Sequence, residues 1–397
     1  MPAAGYLAGT GREDVKHKSY FMMSIIFCLS LGIIFYTYIG YPILLALMQV
    51  TSAWPVKKAD IFPLVTVFVS AHNEARHIEA KVINLLESDY PREKLEIMVG
   101  SDGSTDETYQ IIKRLAQEKN IRYTVSFNRL GKPAMLNKMA KDATGEIYVF
   151  ADARQKFDKN AIKNLVRPFA DDNVGAVSGE LVLESGPGGQ ARGIGLYWSY
   201  EKALRRMEAN IGSMLGATGA IYAIRKEYFH YLPNVILDDV YTPMNAVIVG
   251  KRIVFEPAAR AYDTVAETTQ KEFIRKVRTL IGNFQIFALI PELFNPAKSR
   301  IAFQWISHKF LRVVVPYLLL VVFVSNIFLL GQGMFFVVFF WLQALFYAMA
   351  LLGRQMETSG KAPGIFSFPY ELCALNWAAV VAFGKFRNGE INVLWEK

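Results

Sequence analysis

The stretch Glu146-Ile-Tyr-Val-Phe-Ala-Asp-Ala-Arg154 decides how this chain is read. Residues 147–151 are an unbroken apolar run that ends abruptly in a carboxylate, Asp152. Such a run reads as a buried strand. In an open α/β sheet, ligands gather at the carboxyl ends of strands, so an acid at that point is placed for chemistry. Asp152 alone also suits a simple turn cap. The recurrence of charged elements at further strand ends on both sides favours the chemical role.

Toward the N-terminus the pattern repeats. Residues 63–70, Pro-Leu-Val-Thr-Val-Phe-Val-Ser, read as a buried parallel strand and run into Ala71-His-Asn-Glu74 and a helical pattern through Leu86. Leu95-Glu-Ile-Met-Val-Gly-Ser101 is a second strand, ending in Asp102-Gly-Ser-Thr-Asp106, with a helix over residues 107–117. Strand, polar turn and helix alternate, which is the signature of a doubly wound α/β sheet. Ser104 and Glu107 have capping-box spacing. Asp102 is not needed for that cap, and at a strand end it is placed to accept hydrogen bonds from a base or ribose. Asn128-Arg-Leu-Gly-Lys132 precedes a helix that begins near Pro133, where exposed amides attract anions. Lys132 is there either a phosphate contact or a solvated surface lysine.

Toward the C-terminus, residues 174–183 form another apolar strand, followed by a flexible Gly186-Pro-Gly-Gly189 connection and a helix over residues 197–211. Gly216-Ala-Thr-Gly-Ala-Ile-Tyr-Ala-Ile-Arg225 reads either as a tight turn before a strand or as glycine-rich backbone that a ligand can approach closely. Leu237-Asp-Asp-Val-Tyr241 sets two adjacent acids at a helix start, where Asp238 suits an N-cap.

Composition places this α/β unit beside a membrane. Of the 397 residues, 52% are hydrophobic and 13% aromatic, more than a soluble domain needs, so lipid solvates part of the surface. After a polar tail at 1–19, residues 20–50 are long and apolar enough to span, with a break at Gly40-Tyr-Pro42 that kinks the segment or lays its last turns in the interface. The run is too long for a cleaved signal peptide and no small-residue cleavage site comes after it. Lys57 and Lys58, just past this span, assign the α/β unit to the cytoplasm. Residues 310–330 and 334–352 are two further spans joined by the neutral Gly331-Gln-Gly333, with Arg354 and Lys361 on the inner side. A third run, residues 365–383, carries Pro369, Glu371 and Asn376, and either spans or lies partly in the interface.

Lys plus Arg number 44 against 35 Asp plus Glu, a formal charge of +9 that suits a cytoplasmic membrane face or an anionic nucleotide diphosphate. No long basic tract or base-stacking module argues for nucleic acid. The two cysteines, Cys28 and Cys373, lie in apolar segments, so neither a disulfide framework nor a cysteine metal site is expected. No Gly-x-Gly-x-x-Gly follows the first strand, which argues against a dinucleotide-dependent dehydrogenase.

With Asp102, Lys132 and Asp152 in this order, the sequence resembles a family 2 glycosyltransferase over residues 60–290. The resemblance implies a GT-A fold: an α/β domain with a mixed, mainly parallel sheet, here at residues 60–270 and flanked by transmembrane helices. It implies that Asn73, Glu74, Asp102 and Lys132 hold the nucleotide. It also implies that an Asp-x-Asp element binds the divalent metal, Mg2+ or Mn2+, that carries the sugar diphosphate. This chain reads Asp152-Ala-Arg154, so Asp152 keeps the metal role, and diphosphate oxygens, water or another side chain complete the set. The Asp238-Asp239 pair matches the family's acidic pair, which makes Asp239 the general base for the acceptor hydroxyl in an inverting transfer.

Residues 270–289 read as an amphipathic helix on the cytoplasmic membrane surface, within an interfacial region at 271–300. Processive members carry Gln-x-x-Arg-Trp there, and this chain has Arg275-Lys-Val-Arg-Thr279. Arg278 takes the place of the diphosphate-facing arginine, Arg275 that of the glutamine, and Thr279 that of the tryptophan, which removes an acceptor-stacking platform.

The expected protein is a multi-pass enzyme of the inner (plasma) membrane with a cytoplasmic catalytic domain, a C-terminal membrane region at 305–384 and a tail at 385–397. Its expected partners are a nucleotide-sugar donor, most simply a UDP-sugar, and a polysaccharide or lipid-linked acceptor in cell-surface polysaccharide synthesis, with partners in an assembly complex. The competing expectation is a catalytically impaired member that acts as a sugar-nucleotide sensor or scaffold.

Overall fold

A computed structural model describes residues 7–184, 192–233, 235–264, 269–358 and 364–390. Residues 1–6, the Gly186-Pro-Gly-Gly189 connection, Lys361 and residues 391–397 lie outside them. The chain divides into two compact units: Met1–Leu44 with Arg192–Tyr197 and Ile306–Val381, and Leu45–Ala191 with Trp198–Trp305 and Ala382–Lys397.

The second unit is built on an eight-stranded sheet. Its strands are β1 (Val65–Ala71), β2 (Leu95–Asp102), β3 (Arg122–Ser126), β4 (Ile147–Asp152), β5 (Lys156–Phe157), β6 (Val174–Glu184), β7 (Ile221–Arg225) and β8 (Arg252–Thr264). Across the sheet the order is β3-β2-β1-β4-β7-β6-β8-β5. The first four are parallel in a doubly wound arrangement, β7 runs antiparallel to both β4 and β6, and β6 and β8 are parallel to each other. The sheet is therefore mixed and mainly parallel, as expected.

The central strands are mostly apolar because both faces are covered. Val67 and Val69 of β1, Val99 of β2 and Val149 of β4 fill one core, while Phe68, Met98, Tyr148 and Phe150 point to the other. A strand alternates faces residue by residue, so continuous hydrophobicity is what a strand buried on both sides requires.

Three local expectations are corrected. The helix after β2 spans Thr108–Lys119 and has no capping box. Asp106 takes that role, its Oδ1 accepting from the Thr108 amide at 3.0 Å, while the Ser104 hydroxyl accepts from the Asn73 amide. The helix Asp238–Ile248 has Asp238 as its first residue and no side-chain cap. Along the amphipathic helix, Thr269–Leu289, the apolar residues Val277, Leu280, Ile281 and Ile286 are buried, and Phe284 stacks on Phe386. Protein covers these residues, while Ile274 and Leu289 on the same helix are exposed.

In the first unit, helix begins at Leu7, inside the segment expected as a polar tail. Gly40-Tyr-Pro42 does not break the segment. A π-helical turn, Tyr36–Gly40, carries the helix into Tyr41–Ser52. A widened turn of this kind absorbs a residue without ending the hydrogen-bond ladder. The Tyr36 hydroxyl lies 2.8 Å from Ser307 Oγ, within a second π-helical turn, Trp305–Phe310.

Among the described residues, four helices are long and apolar enough to cross a membrane: Lys16–Ser52, Ala302–Gln332, Met334–Met356 and Gly364–Arg387. The last contains residues 365–383, the run with two possible placements. Phe27 is buried against the rings of Phe336 and Phe339, 5.5 and 5.3 Å away, so aromatic packing joins the first helix to the helix Met334–Met356. Cys28 and Cys373 are free thiols.

Candidate active site

The parallel strands end level with one another. Ser70 of β1 sits opposite Asp152 of β4 on one side and Gly100 of β2 on the other, so the loops after β1, β2 and β4 share one edge of the sheet. Because β7 is antiparallel to β4, its first residues lie at that same edge: Ile221 pairs with Ala151. The turn before β7, Gly216 to Ala220, is thereby brought beside Asp152. The sheet order thus gathers these loops at one edge.

Asp102 is buried, 3% exposed. Its Oδ1 accepts from the Leu130 amide at 2.7 Å and its Oδ2 from the Gly131 amide at 2.8 Å. Gly131 has φ +93°, a conformation that side chains resist, and it opens the helix Lys132–Ala140. Asp102 thus fixes the turn that presents Lys132, rather than offering an open carboxylate to a base or ribose. Asn73, at φ +54°, accepts from the Thr105 amide at 2.8 Å through its Oδ1, and the Glu74 amide donates to Thr108 Oγ1 at 2.8 Å. Both residues tie the first loop to the second. The Glu74 carboxylate also pairs with His77 at 2.9 Å.

Lys132 Nζ stands 3.0 Å from Asp152 Oδ1 and 3.4 Å from Asp238 Oδ2. Burial works against its charge, but the attraction of Asp152 and then Asp238 prevails and raises it above the ordinary lysine range. Lys132 is therefore no surface lysine. Asp238 is buried and also accepts from the Tyr222 hydroxyl at 2.8 Å. Tyr222 is locked by its ring, stacked on cross-strand neighbour Phe150 at 4.4 Å. Burial, then the charge of Asp238, push the Tyr222 phenol well up, so it remains a donor.

Asp239 is half-buried and faces the turn before β7. A Cβ added at Gly219 would stand 2.9 Å from its Oδ2, so only glycine leaves the carboxylate where it is. The Asp239 carbonyl is fixed by the Ala217 amide at 2.7 Å. Arg278 approaches from the helix Thr269–Leu289. Burial lowers its basicity, opposed first by Asp239 and then by Asp152. Arg275, half-buried, lies close enough to repel it. The structure thus brings Lys132, Asp152, Asp238, Asp239 and Arg278 together, with Arg275 behind them. Asn73 and Glu74 belong to the neighbouring loop and Asp102 to the support beneath Lys132.

Arg154, in place of the second acid, turns to Asp263 of β8: its Nη2 is 2.6 Å from Asp263 Oδ2. Gln155 Nε2 donates to the same oxygen at 2.8 Å. Asp263 does not stand out in the sequence, and neither does Lys81, whose ammonium lies behind this turn. Among the described residues, no three His, Cys, Asp or Glu side chains gather to cage a metal ion. Asp152, an oxygen donor at the strand end with part of its side chain exposed, fits a hard divalent cation that arrives with a diphosphate.

Residues 66–232 match the family model described as glycosyl transferase family 2, so the chain contains a glycosyltransferase family 2 domain, of the GT-A type. The poly-beta-1,6-N-acetyl-D-glucosamine synthase of Staphylococcus aureus (strain COL) is 24% identical over 243 residues, covering 59% of this chain and 58% of that protein. The chain thus spans less than two thirds of that relative. Glycosyltransferase AglD of Haloferax volcanii is 35% identical over 119 residues, 29% of this chain and 19% of that one. Among solved structures, the mannosyltransferase PcManGT from Pyrobaculum calidifontis, in complex with GDP-Man and Mn2+, superposes with a TM-score of 0.68 at 23% identity, covering 91% of this chain and 98% of that one. That likeness is one of fold.

Proposed function

We propose that the chain is a membrane-embedded, inverting hexosyltransferase that moves a sugar from a nucleotide diphosphate, most simply UDP, to a polysaccharide or lipid-linked acceptor. The observation that carries this reading is the convergence of two carboxylates, Asp238 and Asp239, with Lys132, Arg278 and Asp152 at one sheet edge. Asp239 takes the proton from the acceptor hydroxyl as that oxygen attacks the anomeric carbon, and the bond to the diphosphate breaks on the opposite face. The departing negative charge meets Lys132 and Arg278, cations already held in place when the reaction begins. Asp238 keeps Lys132 oriented. A divalent cation held by Asp152 and the diphosphate oxygens would add Lewis-acid stabilisation of the leaving group. Asn73 and Glu74 line the nucleotide side, with Asp102 acting through the Gly131 turn. The catalytic unit faces the cytoplasm, with Lys57 and Lys58 placed just after the first span. The synthase likeness supports cell-surface polysaccharide as the setting.

The test is nucleotide diphosphate release by detergent-purified protein with native lipid, across UDP-, GDP- and dTDP-sugars with Mn2+ or Mg2+. Asp239→Asn is expected to bind the donor but lose turnover by about 10²–10⁴-fold, the range for removing a general base. Wild-type protein that neither binds nor cleaves any donor would end the proposal.

A further inference from the structure

Lys81 is the most unusual side chain near the site that the reaction leaves unused. It lies on the helix Ile78–Leu86, directly after the Asn73–Glu74 loop, and is only 2% exposed. Its Nζ donates to the Gln155 carbonyl at 2.8 Å and rests 3.6 Å from the centre of the Phe157 ring. Burial drives its ammonium down to about 7, opposed by the attraction of Asp152. One turn further along the helix, Asn84 Nδ2 donates to the Phe157 carbonyl at 2.9 Å, and Asn84 Oδ1 accepts from the Phe157 amide at 2.7 Å. Three hydrogen bonds from one helix thus grip the backbone that immediately follows Asp152. From the other side, Asp263 holds the side chains of Arg154 and Gln155. A methionine would fill the Lys81 space without the desolvation cost of an amine, so packing does not explain a lysine there.

We propose that Lys81 is a positioning residue of the donor site: its hydrogen bond to Gln155 fixes the Asp152–Gln155 turn and couples it to the helix behind the nucleotide loop. The proposal rests on the donor-binding reading under Proposed function. It also accounts for a site whose second acid has become Arg154. A single carboxylate has no partner to share its alignment, so the backbone carrying it must be held from outside. Lys81 and Asn84 hold it from the helix, and Asp263 holds it from β8.

The experiment compares full-length, detergent-purified wild type with Lys81→Met and Lys81→Gln. Methionine keeps most of the apolar stem and loses the donor; glutamine, also one atom shorter than lysine, retains a neutral amide donor toward the carbonyl. In ligand-free protein, amide hydrogen exchange over residues 153–158 is expected to rise in the methionine variant and fall back in the glutamine variant. With donor and Mn2+, kcat/KM for diphosphate release is expected to drop about tenfold in Lys81→Met, with at least half recovered in Lys81→Gln. Wild-type exchange and wild-type kcat/KM in Lys81→Met would overturn the proposal. So would equal losses in both variants that track a lowered melting temperature, because only packing would then be at stake. If the wild type handles no donor but exchange responds as described, the reading of the function fails and the positioning of the turn stands.

Discussion

A single methyl group at Gly219 tests whether Asp239 is the reacting base. The added Cβ of Gly219→Ala would lie 2.9 Å from Asp239 Oδ2 and 3.3 Å from its Cγ. Ordinary contact begins near 3.4 Å, so the carboxylate must retreat by about half an ångström. The obstacle is the tip of a side chain rather than backbone, so the fold yields cheaply and the melting temperature is expected to shift by no more than ~2 °C. Proton transfer is far less tolerant: a displacement of about 1 Å costs on the order of a hundredfold. Half of that implies a loss near tenfold, about 1.4 kcal/mol in the barrier. In a diphosphate-release assay at saturating acceptor, kcat should fall about tenfold while the donor KM stays within a factor of two. Nucleotide affinity measured by titration should not move. Unchanged kcat in a folded variant would refute the assignment of Asp239, because its carboxylate cannot remain in place with the methyl group present.

Lys132→Met leaves Asp152 and Asp238 without the ammonium between them, so it is expected to lower both thermal stability and donor affinity, with the affinity loss at least tenfold by titration. Lys81 titrates at about 7 in the folded protein against an ordinary 10.5. Between those values the unfolded chain holds a proton that the folded one lacks, so stability rises with pH across this window by up to ~1.4 kcal/mol per unit and is flat below it. Melting curves from pH 7 to 10 should show the wild type gaining on Lys81→Met as the pH rises. Chelation should abolish diphosphate release and Mn2+ restore it, whereas release unaffected by a strong chelator would remove the cation from Asp152.

The sheet was legible where burial dictates sequence. β1, β2, β4 and β6 are covered on both faces and therefore read as continuous apolar runs. β3, Arg-Tyr-Thr-Val-Ser, is an edge strand without such a run. β8 is interrupted by Glu256 and Pro257 at the point where its register against β6 shifts, so no period survives to be read. Asp152 was legible because a strand end followed by a charge is a local pattern, and Lys132, Asp238 and Asp239 because each stands at a helix start. Lys81 and Asp263 were not, since a lysine in a helical pattern looks like solvent-facing surface until the segment at 155–157 is folded onto it. The helix Thr269–Leu289 shows the converse: a stripe of Val277, Leu280 and Ile281 is the same whether lipid or protein covers it, and the structure covers it with protein.

Asp102 and Lys132 sit thirty positions apart in the sequence but form one structural unit. The acid holds two consecutive amides, those of Leu130 and Gly131; the glycine supplies the bend, and the lysine begins only where the bend ends. A lineage that exchanged Asp102 would lose the aim of Lys132 without touching it, and one that replaced Gly131 would strand both. Variation among descendants of this chain should therefore strike all three positions together or none of them.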